Sequence, residues 1–250
     1  MPISSNTLFH FTNKKENLIG ILNNNFNIYY CIESLDLGGN RILDYAAPMV
    51  CFCDIPLGKI KKHLVAYGNY GLGLTKEWGI RNQLNPVLYL EANSILSSSI
   101  KVIYDNFILK KAGLFWDFNS KIDQAILNQL RYCKNYERKK DNLIENSSVS
   151  KYYDEREWRY CPSYSTNYQT ILGGAYLPTK TNLKSINSSV KHLKLEFTPD
   201  DIKYIFINND EEILEFINLL KTTKSKKYSK QEVEKLSTRI ITIKQLKEDF

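Results

Sequence analysis

The strongest chemical signal in the sequence is an acidic pair in the segment Glu155-Arg-Glu157-Trp-Arg159. If this segment is a β-strand, its side chains alternate between two faces, so Glu155, Glu157 and Arg159 share one face. Two neighbouring carboxylates repel each other, which raises one pKa or attracts a cation, and such a pair can stabilise positive charge that develops in a transition state. The alternative is a solvent-facing strand whose glutamates pair with Arg156 and Arg159. The spacing leaves both interpretations open.

A histidine near the start of the chain is the second candidate. The segment Thr7–Thr12 is short and rich in β-forming residues, which predicts a strand. On that strand His10 shares a face with Leu8 and Thr12, and the flanking phenylalanines lie on the other face. A single histidine on a strand is either a hydrogen-bonded core residue or a group that binds a ligand. The pattern does not choose between them.

The elements that must position these residues are short strands around a helical middle. We expect a loop over residues 27–47, which have no clear period and contain Gly38-Gly39, and a buried strand over Met49–Asp54. The glycines of Tyr67–Trp78 alternate with larger residues, which predicts a strand approached closely by a ligand or by another backbone. Residues 97–145 have helical spacing. Strands at both ends of a helical middle indicate an α+β fold.

Charge is concentrated at one end of the chain. The 250 residues carry 34 Lys and Arg against 27 Asp and Glu, a formal net charge of +7. Nine Lys and Arg and four Asp and Glu fall within residues 221–250, so +5 of that charge lies there. This predicts a basic C-terminal extension, either a solvated tail or a surface for nucleic acid.

The same composition bounds the compartment and the cysteine chemistry. Five irregularly spaced cysteines and no secretory signal favour reduced thiols, and three histidines make a closed metal site hard to build, so no metal is expected. No apolar run is long enough to span a membrane. We therefore expect a cytoplasmic protein that does not associate with membranes.

Several stretches, taken in order, resemble known families. Four regions together resemble the AbiGi-type abortive phage-infection family: Leu8–Thr12, Val50–Leu57, Tyr67–Gly79 with Asn85–Tyr89, and Glu157–Arg159. The first of these stretches, Met49–Asp54 and Glu155–Glu157 also resemble motifs of the ADP-ribosyltransferase fold. The second resemblance implies a split antiparallel β-sandwich with flanking helices. It would form a single domain over residues 1–222 with a helical insertion near 97–145, followed by the basic extension 223–250.

The resemblance to ADP-ribosyltransferases also implies NAD as a substrate and a set of site residues. Glu157 would be the catalytic carboxylate, with Glu155 as its companion. A carboxylate beside the ribose stabilises the oxocarbenium-like transition state that forms as nicotinamide leaves. The residues expected at the NAD site are His10 at a ribose hydroxyl or the nicotinamide amide, Thr12 in support of that turn, Arg41 at the pyrophosphate, and Phe52 or Tyr67 stacked on nicotinamide.

Three functional hypotheses follow. The first is an ADP-ribosyltransferase effector of an abortive-infection, toxin–antitoxin type system for phage defence, which transfers ADP-ribose to a protein or nucleic acid; an NAD glycohydrolase is a variant of it. The second is a non-catalytic antitoxin or partner protein that binds a cognate toxin or antitoxin, because AbiGi-type proteins include the antitoxin half of a pair. The third is nucleic-acid binding through the basic extension.

Overall fold

The computed structural model describes residues 4–109, 120–137, 151–173, 176–179 and 181–249. In chain order the strands are β1 (Thr7–Thr12), β2 (Phe26–Asn27), β3 (Tyr29–Asp36), β4 (Ile42–Cys53), β5 (Tyr70–Thr75), β6 (Asn85–Pro86), β7 (Leu88–Leu90), β8 (Cys133–Asn135), β9 (Glu157–Tyr160), β10 (Leu172–Gly173), β11 (Lys194–Leu195), β12 (Ile202–Ile207) and β13 (Ile240–Thr242). The helices are α1 (Lys15–Asn24), α2 (Lys61–Tyr67), α3 (Lys76–Arg81), α4 (Ile95–Ile103), α5 (Lys121–Arg131), α6 (Leu183–Ser188), α7 (Ile213–Lys224), α8 (Lys230–Ser237) and α9 (Ile243–Asp249).

The chain divides into two compact units. The first comprises residues 1–27, 51–85 and 194–250, and the second comprises residues 28–50 and 86–193. Both mix helices with strands. Most strand pairs with a known register are antiparallel, and the pairs β12–β13 and β7–β8 are parallel.

The sheet of the first unit runs in the order β13-β12-β5-β1, and Phe9 of β1 then lies opposite Cys53 at the end of β4. The predicted strand Thr7–Thr12 is confirmed. Glycines let β5 lie close to its neighbours, since a Cβ on Gly71 would be 2.5 Å from the carbonyl oxygen of His10. The close approach predicted for this glycine-rich segment is therefore made by another backbone.

The basic C-terminal residues contribute to the core of the first unit. Strand β13 pairs with β12, and α9 follows it directly. Ile243 and Leu246 of α9 are 1% exposed and pack in one cluster with Phe9 and Phe206. Residues 223–250 thus supply a strand and buried side chains, not only surface charge.

In the second unit, the loop predicted over 27–47 is wrong, because most of it forms the hairpin β3–β4. The two strands pair along the full length of β3, from Tyr29 opposite Met49 to Asp36 opposite Ile42. The turn between them uses Gly38 at a φ of +79°, a conformation that glycine adopts without strain. The sequence pattern hides this hairpin because both faces of β4 are buried from Tyr45 to Val50, so the alternation of apolar and polar residues is lost there.

The predicted helical middle is partly helical. Helices α4 and α5 lie within it, and the short strand β8 follows α5. Residues 110–119 and 138–145 of the predicted insertion lie outside the described residues. Strand β8 pairs in parallel with β7, with Tyr89 opposite Lys134.

Candidate functional site

The acidic pair lies at the start of β9, in the second unit. Glu157 and Arg159 point to the buried side of this strand, and Trp158 and Tyr160 are half-buried on the other side. Glu155 does not share the strand, as the sequence suggested, but ends a 3-10 turn, and Arg156 between them has a φ of +45°. The left-handed residue breaks the alternation of side chains. The two glutamates therefore reach each other only through a third residue.

Arg159 is the centre of the arrangement, and its side chain is 0% exposed. Its Nε donates to Glu157 Oε1 at 2.6 Å, and its Nη2 lies 3.0 Å from Glu33 Oε2. Its Nη1 donates to the carbonyl oxygens of Arg131, at 2.8 Å, and Cys133, at 3.5 Å. All three guanidinium nitrogens thus have acceptors, which is what a buried arginine requires.

Lys134 on β8 joins the two predicted catalytic residues. Its Nζ lies 2.7 Å from Glu155 Oε2 and 2.5 Å from Glu157 Oε2, and 4.8 Å from the ring centre of Tyr152. We name Glu33, Lys134, Glu155, Glu157 and Arg159 the ion cluster. It holds three carboxylates and two cations, so its formal charge is −1.

The cations of the ion cluster control the charge state of Glu157. Burial by itself would raise the pKa of this carboxyl group, but Arg159 and Lys134 outweigh burial and hold the pKa at about 2. Burial likewise opposes the charge on Lys134, and Glu157 and Glu155 more than compensate, so its pKa is raised. Glu157 is therefore an anion, and Lys134 a cation, throughout the neutral range.

The backbone of Glu157 is fixed as firmly as its side chain. Its N–H donates to the hydroxyl oxygen of Tyr89 at 2.8 Å, and its carbonyl oxygen accepts from the N–H of Val87 at 3.0 Å. Burial raises the pKa of the Tyr89 hydroxyl to about 12, so this group remains neutral. These contacts fix both the backbone and the carboxylate of Glu157 in one geometry.

His10 lies in the first unit, where its side chain is half-buried. Its Nδ1 donates to the carbonyl oxygen of Cys51 at 2.8 Å, and its ring lies 5.1 Å from Phe26 and 5.6 Å from Phe52. Burial lowers the pKa of the imidazole, and the hydrogen bond to Cys51 only partly opposes it. The neutral ring packs among aromatic side chains.

The other residues predicted to bind NAD lie in different surroundings. Phe52 is 2% exposed and packs edge-on against Trp78, whereas Tyr67 on α2 is 44% exposed. Thr12 accepts a hydrogen bond from the side chain of Asn17 at 2.7 Å.

Arg41, in the second unit, pairs with Asp105 at 3.1 Å and lies over the ring of Tyr104. Each of the five side chains predicted to bind NAD therefore already contacts other residues of its own unit.

Sequence reasoning found Glu155 and Glu157 but missed Lys134 and Glu33. Lys134 lies in a three-residue strand at the end of a predicted helical region, and Glu33 lies in the predicted loop. Nothing local in either segment marks them, because they reach Glu157 and Arg159 only through side-chain ion pairs between segments that are distant in sequence. The sequence predicts that Arg159 shares a face with Glu157, but nothing in the residues around Arg159 predicts its complete burial.

Two absences apply to the residues that the structure describes. They include no group of three or more His, Cys, Asp or Glu side chains that could hold a metal ion. No helix among them is long and apolar enough to cross a membrane.

Fold and site together define a protein of mixed helices and mainly antiparallel strands, in which the buried glutamate of one short strand is paired with a lysine and with a buried arginine. The family model described as abortive phage resistance protein AbiGi, antitoxin, matches residues 24–208. The abortive phage resistance protein AbiGi of Lactococcus lactis subsp. cremoris is 28% identical over 233 residues, which cover 83% of this chain and 90% of that protein. The chain belongs to the AbiGi family of abortive phage resistance proteins, as its motifs suggested. No solved structure matches it.

Proposed function

We propose that this chain is the neutralising, antitoxin component of an abortive-infection pair, and that it acts by binding a cognate protein rather than by transferring ADP-ribose. The description of its family supports the antitoxin role. One observation carries the non-catalytic part of the proposal. Glu157 is 5% exposed, and each of its carboxylate oxygens contacts a cation of the ion cluster.

A carboxylate that promotes ADP-ribosyl transfer must face the ribose, where positive charge develops only in the transition state. Glu157 instead faces the permanent charges of Lys134 and Arg159, at 2.5 and 2.6 Å. Its negative charge is therefore compensated before any substrate binds. Turning it towards a ribose would also leave a fully buried guanidinium with one acceptor fewer, which is costly. This geometry suits a residue that stabilises the fold better than one that reacts.

The first experiment compares growth with and without the partner. The chain and the product of the neighbouring gene are induced separately and together in a phage-sensitive host. We expect no slowing of growth with the chain alone, toxicity with the neighbouring product alone, and relief of toxicity with both, accompanied by co-purification of the two proteins. Toxicity of the chain alone would contradict the proposal.

The second experiment addresses catalysis directly. Incubation of the purified chain with NAD is expected to release no nicotinamide, and mass spectrometry of expressing cells is expected to find no added ADP-ribose on protein or nucleic acid. If the chain bound NAD, a hundredfold excess of NAD over Kd would stabilise it by about 2.7 kcal/mol. Turnover or such a shift would restore the ADP-ribosyltransferase or glycohydrolase hypothesis, which remains a prediction.

Binding of nucleic acid through the basic C-terminal residues also remains a prediction. Truncation near residue 222 is a poor test, because it removes β13 and the buried Ile243 and Leu246. Lys226 and Lys227 are exposed, so their replacement by Ala leaves the core intact. A protein that binds phosphates through these lysines would lose affinity and show a shallower salt dependence.

A further inference from the structure

The outer edge of β3 is capped at both ends by asparagine side chains. Asn187 Oδ1 accepts from the N–H of Tyr30 at 2.8 Å. Asn135 makes two bonds to Asp36: its Oδ1 accepts from the N–H and its Nδ2 donates to the carbonyl oxygen, both at 2.8 Å. The backbone groups of Tyr30 and Asp36 therefore point away from β4, and side chains take the place of a neighbouring strand.

Between these two caps the edge is open. Backbone groups in an antiparallel pair alternate in direction, so Ile32 and Ser34 point the same way as Tyr30 and Asp36. In the part of the chain that the structure describes, their outward N–H and C=O groups have no hydrogen-bond partner. The side chain of Ile32 is 50% exposed, and Ser34 is exposed as well. Such an edge is a template for another strand.

The two strands of the hairpin that presents this edge are acidic, and Arg41 in the turn between them pairs with Asp105 at 3.1 Å. Strands β3 and β4 carry Glu33, Asp36 and Asp44 and no lysine or arginine. Glu33 faces inward to Arg159, whereas Asp44 is exposed and accepts a hydrogen bond from the hydroxyl of Ser34 at 2.5 Å.

The outer face of the hairpin therefore presents Asp44 between two apolar side chains. These are Ile32 and Ile42, which are 50% and 56% exposed.

We infer that the open edge of β3 binds an extended, basic segment of the partner protein, which adds to the hairpin as a further strand. Main-chain hydrogen bonds to Ile32 and Ser34 supply affinity, and a Lys or Arg beside Asp44, flanked by apolar residues, supplies specificity. A second copy of this chain fits less well, because pairing β3 with itself would bring two acidic hairpins together. The inference rests on the proposed function, since it names the surface through which that function is exerted.

A pair of substitutions at Ser34 tests the edge. Ser34→Pro removes the outward N–H, and proline is tolerated on an edge strand where that group faces solvent. Ser34→Ala removes the hydroxyl but keeps the N–H, which makes it the matched control. With the neighbouring gene product as the probe, we expect Ser34→Pro to weaken Kd at least about tenfold and Ser34→Ala less than about threefold. Thermal unfolding of the free variants serves as the check on folding.

The electrostatic part has its own test. Asp44→Lys is expected to weaken binding at least about tenfold, with a smaller loss in Asp44→Asn, and the difference between the two should shrink at high salt. Hydrogen exchange gives a readout without substitution. The amides of Ile32 and Ser34 should exchange more slowly in the complex than in the free chain, whereas the capped amide of Asp36 should change little.

The outcomes separate this inference from the proposed function. If the wild type binds and neutralises the partner, but Ser34→Pro binds equally well and the two amides gain no protection, the inference is overturned and the function stands. If the wild type does not bind the partner, both fail. If sedimentation shows a dimer of the wild type that Ser34→Pro abolishes, the edge serves a second copy, and the basic partner segment is refuted.

Discussion

The Glu157→Gln substitution keeps the shape of a buried side chain and removes the charge that holds Lys134 and Arg159 together. The pKa of Glu157 is about 2 in the folded protein, against an ordinary value of 4.5. This interval corresponds to about 3 kcal/mol of folding free energy. Because the folded-state pKa is the lower one, the contribution is complete above pH 4.5 and is lost as the pH falls from there towards 2.

Urea unfolding followed by circular dichroism measures this contribution. At pH 7 we expect the variant to be about 3 kcal/mol less stable than the wild type, and we expect the gap to shrink as the pH is lowered below 4.5, because protonated Glu157 resembles Gln. Glu234→Gln is the control: this glutamate is an exposed partner of Lys230 at 3.6 Å, and its loss should cost less than about 0.5 kcal/mol at every pH. A gap that does not vary with pH, or no gap at pH 7, would refute the reasoning.

Four further substitutions probe other contacts. Arg159→Met removes one of the two cations that contact the buried Glu157, together with the cation that contacts Glu33, and should cost about 3–5 kcal/mol in urea unfolding. In thermal unfolding, Gly20→Ala should gain about 0.5–1 kcal/mol, because the added Cβ meets nothing within 4 Å in α1. Gly68→Ala should lose more than about 1 kcal/mol, because φ is +108° and the Cβ would lie 2.3 Å from Asn13 Cα. Burial lowers the pKa of the His10 imidazole in the folded protein, so the unfolded chain takes up the proton first and the wild type loses stability below about pH 6.5. His10→Phe should abolish this loss.

What the sequence predicts well is local. The strand Thr7–Thr12 and the close approach at the glycines of β5 both follow from residue type over a few positions. The acidic pair at Glu155 and Glu157 was also recognisable, because its spacing is itself the signal. Each of these features can be predicted without knowing which distant segment of the chain packs against it.

What the sequence does not predict depends on pairing between distant segments. Strand β3 has no clear alternation, and it becomes a strand because β4 supplies its hydrogen bonds. Glu33 and Lys134 reach Arg159 and Glu157 from segments more than twenty residues away. A carboxylate between two cations and a carboxylate facing a substrate look the same in one dimension, so the role of Glu157 could not be read from its motif.

That ambiguity also determines how cellular tests of Glu157 must be interpreted. Both Glu157→Gln and Arg159→Met weaken the ion cluster, but only the first removes the carboxylate that would be catalytic in an ADP-ribosyltransferase. If the cluster acts through stability alone, neutralisation in the cell should fall with the folded abundance of each variant, and Arg159→Met should be at least as impaired as Glu157→Gln. The opposite outcome has two parts: Glu157→Gln loses neutralisation although its abundance equals that of the wild type, and Arg159→Met retains neutralisation in proportion to its own folded abundance. In that case the charge of Glu157 would have to act on a substrate. Abundance and neutralisation measured on the same cultures therefore distinguish a stabilising carboxylate from a reacting one.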